Sequence, residues 1–175
     1  EKGNSSYDIT TEGKARIAVP KTGKVVSSKM PVFYNPAMKL NRDITIMLLA
    51  AAADIYKIKK FIVADPMAAT GVRSIRLLLE LKGKVESIAI NDYSTAAAKL
   101  IKRNLQINKI KISKKVVVAN EDMNVLLLKS KGFNYIDIDP FGYPGPYLDA
   151  AVKAIRNNGI LAVTATDTSA LAGAA

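Results

Sequence analysis

Between residues 60 and 166 short apolar runs alternate with helix-spaced segments, and this alternation constrains the fold more than anything else in the chain. The runs at 60–64, 85–90, 115–119, 133–138 and 160–166 are rich in Val, Ile and Ala and read as strands. Between them lie helices. One runs over 72–81, with Val72, Ile75, Leu78 and Leu79 at helical spacing. A second is capped by Ser94 and runs to about Asn108. A third follows Asn124, and a fourth starts at Pro146 and is predicted to stop at Asn157-Asn158-Gly159. Strand, helix, strand in register of this kind implies an α/β fold, with a mostly parallel sheet covered by helices on both faces.

Ahead of that core, residues 1–40 read as a basic β-arm and an aromatic loop, and residues 41–175 as the core itself. Residues 10–19 alternate as a strand; Pro20-Lys21-Thr22-Gly23 is turn chemistry, and 24–26 is expected to pair back. Lys14, Arg16, Lys21, Lys24 and Lys29 make the arm basic: either a contact for a phosphate backbone or a solvated hairpin. Phe33 and Tyr34, followed by Asn35, sit in a loop between prolines, where one ring offers a stacking platform or both pack into the core. Asn41 is predicted to cap a helix running to Tyr56. Arg42 then stands at a helix start, against the dipole, where either a ligand carboxylate nearby explains it or it is an exposed arginine with no role.

In an open parallel sheet, ligands bind beyond the carboxyl ends of the strands. The first strand here runs into Asp65-Pro66-Met67-Ala68-Ala69-Thr70-Gly71, a small-residue loop opening a helix. It is neither the dinucleotide glycine fingerprint nor a Walker loop, which counts against a nicotinamide dehydrogenase and a nucleoside triphosphatase. Asp92, at the end of the second strand, is placed to accept two ribose hydroxyls. After the third strand, Asp122 is either a helix cap, an acceptor for an adenine amino group, or both, with Met123 beside the ring.

The fourth strand ends in Asp139-Pro140-Phe141-Gly142. A carboxylate, a prolyl carbonyl and an aromatic plane in succession suit a flat base with an exocyclic amine: two oxygens accept from the amine and the ring stacks. A plain strand-end turn is the alternative. Thr164, Thr166, Asp167, Thr168 and Ser169 put a hydroxyl-rich tip on the fifth strand.

Composition narrows the chemistry. Lys and Arg number 26 against 15 Asp and Glu, a net charge of +11, which favours a polyanionic partner such as nucleic acid. There is no Cys and no His, so disulfides, thiolate sites and His-based triads are excluded within these residues, and no metal is expected. The apolar run at 44–53 is too short to span a bilayer, and the cytoplasm is the expected location.

Four ordered blocks also resemble a known family. These are Val32 to Asp43, Ala69 to Arg76, Ile136 to Gly142, and Val163-Thr164-Ala165-Thr166-Asp167-Thr168. Together they resemble the tRNA (guanine-N2)-dimethyltransferases, which methylate guanosine 26 of tRNA. The resemblance implies a Rossmann-like class I methyltransferase fold, S-adenosyl-L-methionine as cofactor and tRNA as partner. It implies cofactor contacts at Arg42 and Arg73, a ribose contact at Asp92, an adenine contact at Asp122 and Met123, and an amine site at Asp139, Pro140 and Phe141. It further implies that two more strands and a C-terminal domain follow the fifth strand. A DNA or protein amino-methyltransferase, or a non-catalytic RNA-binding module, would share much of this pattern.

Overall fold

The computed structural model describes residues 6–21, 32–81, 83–130 and 132–173. The elements run β1 (Tyr7–Glu12), β2 (Ala15–Pro20), α1 (Lys39–Ile55), β3 (Phe61–Asp65), α2 (Val72–Glu80), β4 (Val85–Asn91), α3 (Thr95–Ile107), β5 (Val116–Ala119), α4 (Met123–Lys129), β6 (Phe133–Ile138), α5 (Gly145–Ala154) and β7 (Ile155–Val163). β3 to β7 form one sheet in the order β5-β4-β3-β6-β7, and all four pairings are parallel. The order reverses between β3 and β6, the switch point at which such sheets open a crevice.

Helices cover both faces, so the strands are apolar almost throughout. On one face Leu49, Ile75, Leu77, Ile101 and Leu105 pack against Phe61, Val63, Ile88, Ile90 and Tyr135. On the other Met123, Leu127, Ala150, Ala151 and Ala154 pack against Ala64, Ile136 and Ile138.

The single strand expected over 10–19 is in fact a hairpin of β1 and β2, reversing at Gly13 and Lys14. Gly13 has φ +54°, and a β-carbon there would meet the side chains of Glu80 and Arg76. The turn therefore needs glycine both for its backbone and for the close approach. The hairpin lies on the helices, with Ala15, Ile17 and Ala18 buried. Two amides one turn apart, Asn104 on α3 and Asn108 at its C-cap, serve the edge of β2 that β1 leaves unpaired. Asn104 accepts from Ala18 N (2.7 Å) and donates to Ala18 O (3.1 Å); Asn108 does the same for Arg16 (2.9 and 2.6 Å). These side chains act as the missing neighbouring strand and satisfy an edge that would otherwise be open. The pairing expected for 24–26, and Lys24 and Lys29, lie outside the described residues.

Two further boundaries are corrected. Asn41 is inside α1; the entry to that helix is a short 3-10 turn, Pro36–Met38, capped by Asn35, whose side chain accepts from Ala37 N at 2.9 Å. And α5 ends at Ala154, because Ile155 is already extended and paired with Phe133. The ladder then shifts, resuming at Tyr135 opposite Ile160, so Asn157-Asn158-Gly159 forms an irregularity in β7 with Asn158 at φ +61°, not a helix stop.

Candidate active site at the carboxyl edge of the sheet

The eleven residues singled out from the sequence all line one cleft of about 700 Å³, at the carboxyl ends of β3 to β6. The size suits a small ligand. Its two halves are built differently.

The first half lies over β3, β4 and β5. Asp92 directly follows β4. Its Oδ2 accepts from Ala69 N and its Oδ1 from Ser94 N, both at 2.8 Å. Ala69 sits at φ +48°, and this bond helps hold it there. Asp122 caps α4, its Oδ1 accepting from Asn124 N (2.9 Å) and Val125 N (3.2 Å). Among the described residues nothing donates to its Oδ2. Met123 is buried beside it. Asn91, not singled out from the sequence, clamps three strand ends together. Fully buried, it donates to Pro66 O (2.9 Å) and Glu121 O (3.0 Å) and accepts from Glu121 N (3.0 Å). Each carboxylate keeps lone pairs beyond those its loop uses. Acceptors at two strand ends, an apolar floor of Ala68, Ala97 and Met123, and a loop of mostly small side chains fit a nucleoside with vicinal hydroxyls.

The second half lies at β6. Pro140 is buried; Phe141 is 61% exposed. The Phe141 ring meets Phe33 edge-to-face, centroids 4.8 Å apart at 85°, so residues far apart in the chain form one aromatic corner. Tyr34 lines the cleft but is tied to the hairpin and α1: its hydroxyl donates to Glu12 Oε2 at 3.2 Å and Arg42 lies over its ring at 5.5 Å. Asn35 is spent as a cap and, through its carbonyl, as an acceptor from Arg42. The hydroxyl-rich tip finds its place here. Gly142 N donates to Thr166 Oγ1 (2.8 Å), and Thr166 N and Asp167 N donate back to Gly142 O (3.1 and 3.2 Å), lashing the Asp-Pro-Phe-Gly loop to the segment after β7.

Neither arginine expected to touch the cofactor presents a free guanidinium. Arg42 forks onto the buried Glu12, Nε to Oε1 at 2.7 Å and Nη2 to Oε2 at 2.6 Å. The carboxylate that explains a cation at that helix start is therefore internal. Arg76 also reaches Glu12 (3.0 Å), as well as Asp43 (2.6 Å) and Glu80 (2.8 Å). Burial alone would raise the Glu12 pKa, but Arg42 and Arg76 outweigh it and hold it below the ordinary carboxylate value. Arg73 pairs with Asp137 and Asp139, each at 3.3 Å, and donates to Thr45 Oγ1 (2.7 Å) and Asn41 Oδ1 (2.8 Å). Asp65, buried under the same site, accepts from Ser74 Oγ at 2.6 Å. Burial, reinforced by Asp137, pushes its pKa up to about 7, against the Ser74 hydroxyl and Arg73.

Sequence reasoning missed Glu12, Asp65, Arg76, Asn91 and Asp137. For Asp65, Asn91 and Asp137 the available signal was a polar residue inside an otherwise apolar run, since such a group is costly there without a partner; Glu12, in a polar stretch, and Arg76, in a helix of mixed polar and apolar residues, carry no such signal.

Comparison with known proteins bears on both halves. A family model described as N2,N2-dimethylguanosine tRNA methyltransferase matches residues 13–175. The chain is 43% identical over 169 residues to a tRNA (guanine(26)-N(2))-dimethyltransferase of Methanopyrus kandleri, covering 95% of this chain and 42% of that protein. It is 41% identical over 172 residues to a tRNA (guanine(26)-N(2)/guanine(27)-N(2))-dimethyltransferase of Aquifex aeolicus, with 95% and 42% covered. Among solved structures it is similar to Trm1 from Pyrococcus horikoshii in complex with S-adenosyl-L-methionine: TM-score 0.80, 39% identity, 95% of this chain and 45% of that one. The chain thus spans somewhat under half the length of these relatives. Its sheet order and covering helices are those of the Rossmann-like class I methyltransferase fold.

Proposed function

The chain belongs to the N2,N2-dimethylguanosine tRNA methyltransferase family, and from that premise we propose that it transfers methyl groups from S-adenosylmethionine to the exocyclic N2 of guanosine 26 in tRNA, giving the mono- and dimethylated base. One observation carries the reading: a single cleft joins nucleoside-type acceptors, Asp92 and Asp122, to the Asp139-Pro140-Phe141 corner. The donor set fits the cofactor. Asp92 holds the ribose hydroxyls, and Asp122 with Met123 holds the adenine.

When bound, the cofactor supplies an electrophilic sulfonium methyl. The chain's own residues must make a poor nucleophile ready for it, because the lone pair of the guanine amine is delocalised into the ring. Asp139 and the Pro140 carbonyl accept the two amine hydrogens, which favours a more tetrahedral nitrogen with its lone pair free. Arg73 pairs with Oδ2 of Asp139, leaving Oδ1 to accept. The Phe33 and Phe141 corner orients the base by stacking, and Pro140 and the lashed Gly142 keep the acceptors still. Much of the rate then comes from positioning. A base stacked in a helix is out of reach, so the target must be flipped out or already unstacked. The net charge of +11 supports a tRNA partner and, with it, a cytoplasmic setting. Among the described residues no helix is long and apolar enough to cross a membrane.

Nucleoside mass spectrometry of tRNA incubated with the full-length protein and S-adenosylmethionine tests the proposal. The expected products are N2-methylated guanosines that vanish when position 26 is changed to adenosine. Methylation elsewhere, or cofactor binding without transfer to tRNA, would overturn it.

A further inference from the structure

We propose that Asp137 is a positioning residue for methyl transfer, fixing the carboxylate of Asp139 through Arg73; this rests on the reading of Asp139 as the acceptor for the target amine. Tyr135, Asp137 and Asp139 alternate along β6 and its end, so their side chains leave one face. That face meets α1 and α2, which supply Thr45, Asn41 and Arg73. The Tyr135 hydroxyl donates to Oδ2 of Asp137, and Arg73 Nε pairs with the same oxygen at 3.3 Å.

Asp137, next to last in β6, is 2% exposed. For stability alone an apolar side chain would serve at least as well, since burying charge is costly even when it is paired. Its contacts point to another task. Arg73 is a rigid planar fork. Asp137 holds it at Nε, Thr45 at Nη1, and Asn41 with Asp139 at Nη2. With Nε fixed, Nη2 meets Asp139 at one angle. Among the described residues Arg73 is the only cation paired with Asp139. Without Asp137 the guanidinium loses its anchor at Nε and, held only at Nη1 and Nη2, tilts toward Asp139 and draws its carboxylate from the amine. An error of this kind costs rate while leaving cofactor and tRNA affinity intact.

The test is a double-mutant cycle in the full-length protein, read by single-turnover methyl transfer, S-adenosylmethionine affinity and tRNA affinity. Asp137→Asn is expected to lower the transfer rate by roughly a hundredfold, the cost of an ångström-scale misplacement, with both affinities unchanged. Added to Asp139→Asn it should do nothing further, because residues acting through one another are not additive. A wild-type rate in Asp137→Asn, or full additivity with Asp139→Asn, overturns the inference. If Asp137→Asn does not fold, Tyr135→Phe decides: a slower rate at unchanged affinities supports the inference, and an unchanged rate overturns it. A wild-type rate in Asp139→Asn instead overturns the amine-acceptor reading, and the inference falls with it.

Discussion

The two halves of the cleft are assembled over different sequence distances. Over β4 and β5, Asp92 accepts from Ser94 two residues on, and Asp122 from Asn124 two residues on. These are Asx-type loops that the local chain makes by itself. At β6, Arg73 reaches Asp139 across 66 positions, and Arg76 reaches Glu12 across 64. There the geometry belongs to packed helices and to charges that must be paired once buried. The difference teaches that the nucleoside side is shorter in reach, its longer ties being Asp92 to Ala69 across 23 positions and Asn91 to Glu121 across 30, whereas the transfer side stands only as well as α1, α2 and the hairpin hold together.

The largest effect should come from breaking the long-range side. Glu12→Ala leaves Arg42 and Arg76 buried without their shared carboxylate. Removing one partner of a buried pair costs about 3–5 kcal/mol, so denaturant unfolding should show a loss of that size. The same carboxylate has a pH signature. Its folded pKa is depressed, so its contribution is present above the ordinary value of 4.5 and is lost as pH falls through the folded value. If Glu12→Ala unfolds at the wild-type midpoint, the network is ornamental and the contrast between the halves collapses.

A smaller, local effect is expected from Asp92→Ala. Losing a charged acceptor for two hydroxyls costs about 1.5–3 kcal/mol, read by calorimetry with S-adenosylmethionine on the folded variant, whose melting temperature should also fall because Ala69 N and Ser94 N lose their acceptor. Unchanged affinity in the folded variant would remove Asp92 from the site.

The last effect is a slope. Asp65 has its folded pKa raised from 3.8 to about 7, so the folded state holds a proton that the unfolded state releases. Its contribution is complete below 3.8 and is lost as pH rises through about 7. Asp65→Asn should flatten the fall in melting temperature across that window. A variant with the wild-type slope would place the proton elsewhere.

This contrast also explains what could be read from the chain. The βα alternation and the residues at the strand ends are local patterns, and the parallel sheet covered on both faces and the cleft-lining positions followed from them; the strand order did not. The hairpin turn at Gly13 was missed because alternation continues across it, and its need for glycine arises from Glu80 and Arg76, far along the chain. Arg42 and Arg73 were read toward a ligand because their internal partners, Glu12 and Asp137, lie on other elements. A carboxylate inside an apolar strand announces that it has a partner but not which one.

The most direct measurement is single-turnover methyl transfer by Asp139→Asn, made beside its affinity for S-adenosylmethionine. The amide keeps the size of the carboxylate but turns an N–H toward the donor amine. The account predicts a folded protein with near-wild-type cofactor affinity and a transfer rate lower by orders of magnitude. Wild-type turnover in that variant would contradict it, leaving Asp139 a strand-end turn residue.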